Sequence, residues 1–172
     1  MVRFLIAGAL ACVIATPANA GEVFGGLFIH DVDTPLTRSG IEGGVDLQLG
    51  YRWDPLMGPK GPQPYVFAAV NSAGETHYAA AGLAFKFGEK VYIRPGLGLA
   101  VHTGSASNYS HVDHDHVDFG SRILFAPELG IGFQLSERAS LEASWVHLSH
   151  AQLFGDNNPG MDNIGARLNW KF

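Results

Sequence analysis

Asn163-Ile164-Gly165-Ala166-Arg167-Leu168-Asn169-Trp170-Lys171-Phe172 is the stretch that decides the fold. Ile164, Ala166, Leu168, Trp170 and Phe172 take every second position, and Asn163, Gly165, Arg167, Asn169 and Lys171 fill the gaps. Apolar residues at period two mark a strand with one apolar face. Working back from it, the pattern recurs. Val91, Ile93, Leu97, Leu99 and Val101 oppose Tyr92, Arg94, Gly96, Gly98, Ala100 and His102. Ile123, Phe125, Leu129, Ile131, Phe133 and Leu135 oppose Arg122, Glu128, Gly130, Gly132 and Gln134. Ile41, Val45, Leu47, Leu49 and Tyr51 oppose Glu42, Asp46, Gln48 and Arg52. Eight strands are predicted, over 22–32, 39–52, 63–72, 75–87, 90–103, 117–135, 140–150 and 161–172. The Ala-rich pair in the middle is the least sharply patterned.

Composition separates two all-β readings. The set AVILMFWYC makes up 47% of the chain, charged residues only 16%, and glycine is abundant at 22 residues. A soluble sandwich usually carries more surface charge. A membrane barrel turns one face of each strand to lipid and needs no apolar helix. An even strand number fits a bacterial barrel. So does alternation between short turns at Gly88-Glu89 and Ser136–Ala139 and longer polar loops at 104–116 and 151–160. The terminal aromatic Phe172 on an amphipathic strand resembles the assembly signal of outer-membrane barrels. The expected fold is an all-β, eight-stranded antiparallel transmembrane outer-membrane β-barrel, with both termini on the periplasmic, short-turn side. A barrel of eight strands is filled by its own side chains. Arg52, Arg94, Arg122 and Arg167 are therefore expected inside, paired with Glu42, Asp46, Glu128 and Glu142, and a pore is not expected.

Arg3, the apolar run Phe4 to Ala15 and Ala18-Asn19-Ala20 read as a signal peptide over 1–20, cleaved near Ala20, leaving 21–172 as the barrel domain. A lipoprotein reading would cut before Cys12, but the apolar run ahead of it is too short. Cys12, the sole cysteine, leaves with the leader, so no disulfide framework, thiol nucleophile or cysteine zinc site is expected. The formal net charge of −5 becomes one unit more negative without Arg3. A nucleic-acid binder needs a positive footprint, so that class is excluded.

Chemistry concentrates in Trp145-Val146-His147-Leu148-Ser149-His150. His147 and Ser149 share the outward, apolar parity of Trp145, with Cα atoms about 6.5–7 Å apart at strand rise. Asp162 shares parity with the lipid-facing Ile164 and Leu168 on the next strand, within reach of His147. Serine, histidine and carboxylate are the nucleophile, base and orienting group of ester hydrolysis. All three fall near the outer leaflet, facing lipid, which is an odd place for polar groups unless the substrate is a lipid. An interfacial polar rim, where a strand leaves the membrane, accounts for the same residues more plainly, and spacing alone does not decide. No G-x-S-x-G elbow occurs, so an α/β-hydrolase is not supported.

His147-Leu148-Ser149, then Asn158-Pro159-Gly160-Met161-Asp162, then alternation to a terminal aromatic, resemble the outer-membrane lipid A 3-O-deacylases. The resemblance extends less sharply upstream through Phe125 to Gly132. It implies an eight-stranded barrel with an outward-facing site. Ser149 would then be the nucleophile, His147 its base, and Asp162 the acid orienting the histidine. The family pattern has Glu where Asp162 stands and Asn where His150 stands. Backbone N–H groups after the serine are the expected oxyanion donors, and His150 and Gln152 are the candidates. No cofactor or metal is needed for this chemistry. Lipid A (lipopolysaccharide) and outer-membrane lipids are the partners so implied, and a homodimer is a further candidate.

His111, His114 and His116 sit in Ser110–Asp118. A zinc or copper site is one reading, but the spacing fits no standard motif, and a solvated outer loop is favoured. His30, His77 and His102 stand alone in sequence and need no more than interfacial or lumen positions. The leading function is a serine esterase, a hydrolase removing the 3-O-linked acyl chain of lipid A. The alternatives are a non-enzymatic adhesion or structural barrel and an outer-membrane phospholipase.

Overall fold

The computed structural model describes residues 21–37, 40–107, 116–153 and 159–172. The leader over 1–20, His111 and His114 lie outside the described residues. Eight long strands run through the described residues: β1 (Glu22–Ile29), β2 (Val45–Arg52), β3 (Gln63–Asn71), β4 (Tyr78–Ala84), β5 (Val91–His102), β6 (Ile123–Gln134), β7 (Ala139–Leu148) and β8 (Met161–Lys171). Each pairs antiparallel with its neighbours in sequence, and β1 pairs with β8, so the sheet closes into a barrel. Closure leaves no sheet edge, which is what a strand protein in hydrocarbon requires.

The alternation read in the sequence becomes two surfaces. Leu27, Leu47, Leu97, Ile131 and Leu168 project outward, each more than half exposed, while Phe24, Tyr65, Phe67, Leu124 and Ala126 are buried inside. Phe87, Phe133, Trp170 and Phe172 gather exposed aromatic surface toward the end holding the termini, as in the aromatic girdles of such barrels.

Charge fills the bore. Arg52, Arg94 and Arg167 are fully buried. Arg167 pairs with Glu128 at 2.9 Å and Glu142 at 3.6 Å, and Arg94 bridges Glu142 and Glu22 at 2.9 Å each. Arg52 pairs with Glu22. Gly130 makes this possible: a Cβ there would lie 2.5 Å from the Glu142 carboxyl carbon. Three of the residues expected in arginine–carboxylate pairs are corrected. Arg122 lies outside β6, exposed, and donates to the backbone carbonyls of His102 and Gly104. Glu42 and Asp46 pair with His30 rather than with an arginine. Glu22, at the start of β1, takes the arginine partners that sequence reading assigned elsewhere.

Several strand limits also move. The strand predicted over 39–52 starts at Val45, because the Asp31 carboxylate gathers the N–H groups of Gly40, Ile41 and Glu42 at 2.8–3.0 Å into a turn. The strand predicted over 117–135 starts at Ile123. Val117 and Phe119 instead tuck into the barrel mouth, each 1% exposed. The segment 75–87 forms β4, with Phe87–Gly88 folding back onto Tyr92 and Ile93. The remaining limits agree within a few residues. The connection 53–62, at the terminal end, breaks the expected rule that this side carries only short turns.

His30, Glu42 and Asp46 close the other, loop end. Glu42 accepts from His30 Nε2 (3.0 Å), the Thr76 N–H (3.0 Å), the Thr76 hydroxyl (3.1 Å) and the Val117 N–H (2.9 Å). Burial opposes charge on both partners. The hydrogen bonds to Asp46 and Glu42 outweigh it and raise the His30 pKa to about 9. Those from His30, Val117 and Thr76 lower that of Glu42 to about 2. A histidine whose pKa is raised on folding contributes stability below its unfolded value near 6.5, and the contribution is lost as pH rises through about 9. The urea midpoint of the protein in lipid vesicles is therefore expected to fall between pH 6.5 and 9. His30→Gln should flatten that slope; an unchanged slope would show that another group titrates.

Candidate functional site

The outward face of the β7–β8 hairpin carries the site. His147 lies directly opposite Asp162 in the strand register, where facing side chains meet. The imidazole Nδ1 donates to Asp162 Oδ1 at 2.8 Å. With its proton held there, the ring presents Nε2 as the basic nitrogen. Ser149 follows just beyond β7. Mutual backbone bonds with Phe125, at 2.7 and 3.1 Å, carry the strand geometry through it. Its parity is thus that of His147 and Trp145, while Val146 and Leu148 point into the bore, fully buried. The structure brings His147 and Asp162 into direct contact and sets Ser149 next along the same face.

Asp162 has no exposed surface despite its lipid-facing parity. Trp145 Nε1 donates to Oδ1 at 2.9 Å, sharing that oxygen with His147. The hydroxyls of Thr34 and Thr37 donate to Oδ2, the latter at 3.4 Å. The Trp145 ring also stacks on the His147 ring, centroids 5.9 Å apart and 26° between planes. Thr34 and Thr37 escaped the sequence reading. They sit in a polar connection far along the chain, and no spacing links them to Asp162. Trp145 carried a signal, two residues before His147 on the same parity, but it read simply as apolar surface.

Immediately after Ser149 the chain reverses. Ala151 and Gln152 have φ of 51° and 58°, and the Leu153 N–H bonds the His150 carbonyl at 3.0 Å. Two successive left-handed residues without glycine are a strained turn. His150 is buried and Gln152 exposed within it. His116 lies near Asp118 at 3.8 Å. Among the described residues no group of three or more His, Cys, Asp or Glu side chains is arranged to hold a metal ion. A cavity of about 460 Å³, lined by Trp53, Lys86, Arg94 and Lys171, opens at the opposite, terminal end of the barrel. The His147 site faces outward between the cross-strand neighbours Leu129, Trp145 and Ile164, with Leu129 and Ile164 exposed and Ser149 itself buried.

A family model described as lipid A 3-O-deacylase (PagL) matches residues 39–171. No curated protein matches the chain. Among solved structures, the chain is similar to the outer membrane enzyme PagL, with 17% identity, 88% of this chain and 98% of that chain covered, and a TM-score of 0.60. It is similar to Neisserial surface protein A at 14% identity, 89% and 99% covered, TM-score 0.55. A designed transmembrane β-barrel matches at 12% identity, 92% and 98% covered, TM-score 0.53. At these identities the structures share the barrel fold.

Gly160 leads into β8 with φ of 68°, and a Cβ there would sit 3.0 Å from His147 Cε1. Gly160→Ala is expected to cost about 1–2 kcal/mol of stability, from the left-handed backbone alone, and to displace the imidazole. Denaturant titration in vesicles reads the first and the ¹⁵N shift of the His147 ring the second. Wild-type values for both would remove Gly160 from the site.

Proposed function

Because the chain belongs to the lipid A 3-O-deacylase (PagL) family, we propose that it hydrolyses the ester holding the acyl chain at the 3-position of lipid A. The protein is an outer-membrane β-barrel. With its termini in the periplasm, the loop end of β7 and β8 lies at the outer leaflet, where lipid A resides. We propose further that residues 1–20 direct export and are removed.

The observation that carries the reading is the His147–Asp162 hydrogen bond on the outward face beside Ser149. In the proposed reaction Ser149 Oγ attacks the ester carbonyl carbon as His147 Nε2 takes its proton. Backbone N–H groups of the turn holding His150 and Gln152 stabilise the tetrahedral oxyanion. The bond between the acyl carbon and the sugar oxygen then breaks, and the departing sugar alkoxide takes the proton from His147. Water, deprotonated by the same nitrogen, attacks the acyl-serine carbonyl; the acyl–Oγ bond breaks, the fatty acid leaves, and His147 returns the proton to Ser149 Oγ. Asp162 orients the ring and stabilises its charged form throughout. An outward site fits a membrane substrate. The ester reaches Ser149 by lateral diffusion, and Trp145, Ile164 and Leu129 offer an apolar surface to the acyl chain.

Mass spectrometry of lipid A and phospholipids from cells making the protein tests this. Wild-type protein should convert lipid A to a species lacking one 3-O-linked acyl chain. Ser149→Ala and His147→Ala should each abolish conversion, by at least about a thousandfold, with little further loss in the double variant, since the pair acts as a unit. Asp162→Ala should retain residual activity. Accumulation of lysophospholipid instead would make the protein a phospholipase, and unchanged lipids would make it a structural barrel.

A further inference from the structure

Asp162 is held by more than the histidine it is proposed to orient. Its two oxygens receive four side-chain donors, from His147 and Trp145 on Oδ1 and from Thr34 and Thr37 on Oδ2. A carboxylate held by one imidazole alone can rotate about its Cβ–Cγ bond. A donor fixed on the far oxygen stops that rotation.

The Thr34 hydroxyl is well placed for this. Its oxygen accepts the Leu36 N–H at 3.1 Å, which leaves its own proton for Asp162 Oδ2. The segment that carries Thr34 is itself fixed. The Asp31 N–H donates to Asn163 Oδ1 at 3.0 Å, and the Val32 N–H donates to the Asp162 carbonyl at 2.7 Å. Asp31 stands at a φ of 50°, unusual for a residue other than glycine, while its carboxylate holds the turn at Gly40 to Glu42. Strain maintained by this many contacts belongs to a segment kept in one shape. On the other side, Trp145 stacks on the imidazole and bonds the oxygen the imidazole uses, so one indole restrains both members of the pair.

We propose that Thr34 and Trp145 are positioning residues of the esterase: a two-sided clamp that fixes the rotation of the Asp162 carboxylate and so the direction of His147 Nε2. The clamp rests on the Ser149–His147–Asp162 reading and adds to it a contribution from the connection between β1 and β2. Thr37, at longer range, backs up Thr34.

Steady-state deacylation of lipid A in mixed micelles by Thr34→Val, Thr34→Ser, Trp145→Phe and Ser149→Ala tests it. Thr34→Val keeps the shape and loses the donor. It should lower kcat about 10- to 100-fold, the range expected for a hydrogen bond to a charged group, with KM unchanged. Thr34→Ser should restore kcat to near the wild-type value. A tie that merely anchored the loop would not give this split, because the Val32 backbone bond survives both changes. The Trp145 indole N–H resonance should also move in Thr34→Val, reporting the rotated carboxylate. Trp145→Phe keeps a stacked ring without the donor and should likewise lower kcat; if Thr34→Val fails to fold, this variant decides alone. Wild-type kcat in both Thr34→Val and Trp145→Phe, with Ser149→Ala inactive, would overturn the clamp and leave the catalytic reading standing. Activity in Ser149→Ala would overturn that reading instead.

Discussion

Hydrocarbon offers no hydrogen bonds, and that constraint orders everything else in this molecule. Every backbone group of a spanning strand must find its partner in another strand, so the sheet has to close. The antiparallel pairing of β1 with β8 supplies the closure. Once closed, the sheet has two faces only, and each residue's parity assigns it to one. Apolar side chains go to lipid; the arginines and glutamates go to the bore, where Arg167 meets Glu128 and Glu142. Buried charges of this kind need partners on all sides, and small residues such as Gly130 clear the space for them.

Parity also explains why the polar site on the outside is conspicuous. His147 and Asp162 stand at positions where lipid-facing strands carry leucine or isoleucine. Their cost is met locally. Asp162 is fully buried and receives four donors, and His147 both bonds that carboxylate and stacks on the Trp145 ring. A one-residue slip of either strand would send its own member of the pair into the bore and separate the two. Register is therefore as much a determinant of the proposed chemistry as residue identity is.

Those facts bear on what the sequence could disclose. The strand pattern, the outward parity of Trp145 and His147, and the facing of His147 and Asp162 were all legible, because period two is a local property and consecutive strands must pair. The partners of the lumen charges were not. Which arginine meets which glutamate depends on barrel stagger, so Glu22 was overlooked and Arg122 was placed inside. Where the chain leaves the sheet, pattern misleads: Glu42 and Val117 continue an alternation yet turn into the mouth, drawn by hydrogen bonds between loops. Thr34 was invisible for the same reason. Its partner is 128 positions away in sequence, and a hydroxyl in a polar loop carries no mark of where it will dock.

The seam between β1 and β8 joins the two ends of the chain, and the supports of Asp162 lie on both sides of it. Val32 and Thr34 follow β1; Asp162 begins β8. A chain whose last strand has not yet found its first has the serine, the histidine and the acid, but not the segment that holds the acid in place. Under the proposed clamp, the full catalytic rate requires that the seam be closed. Topology alone, through the pairing of β1 with β8, thereby ties the proposed activity to a closed barrel.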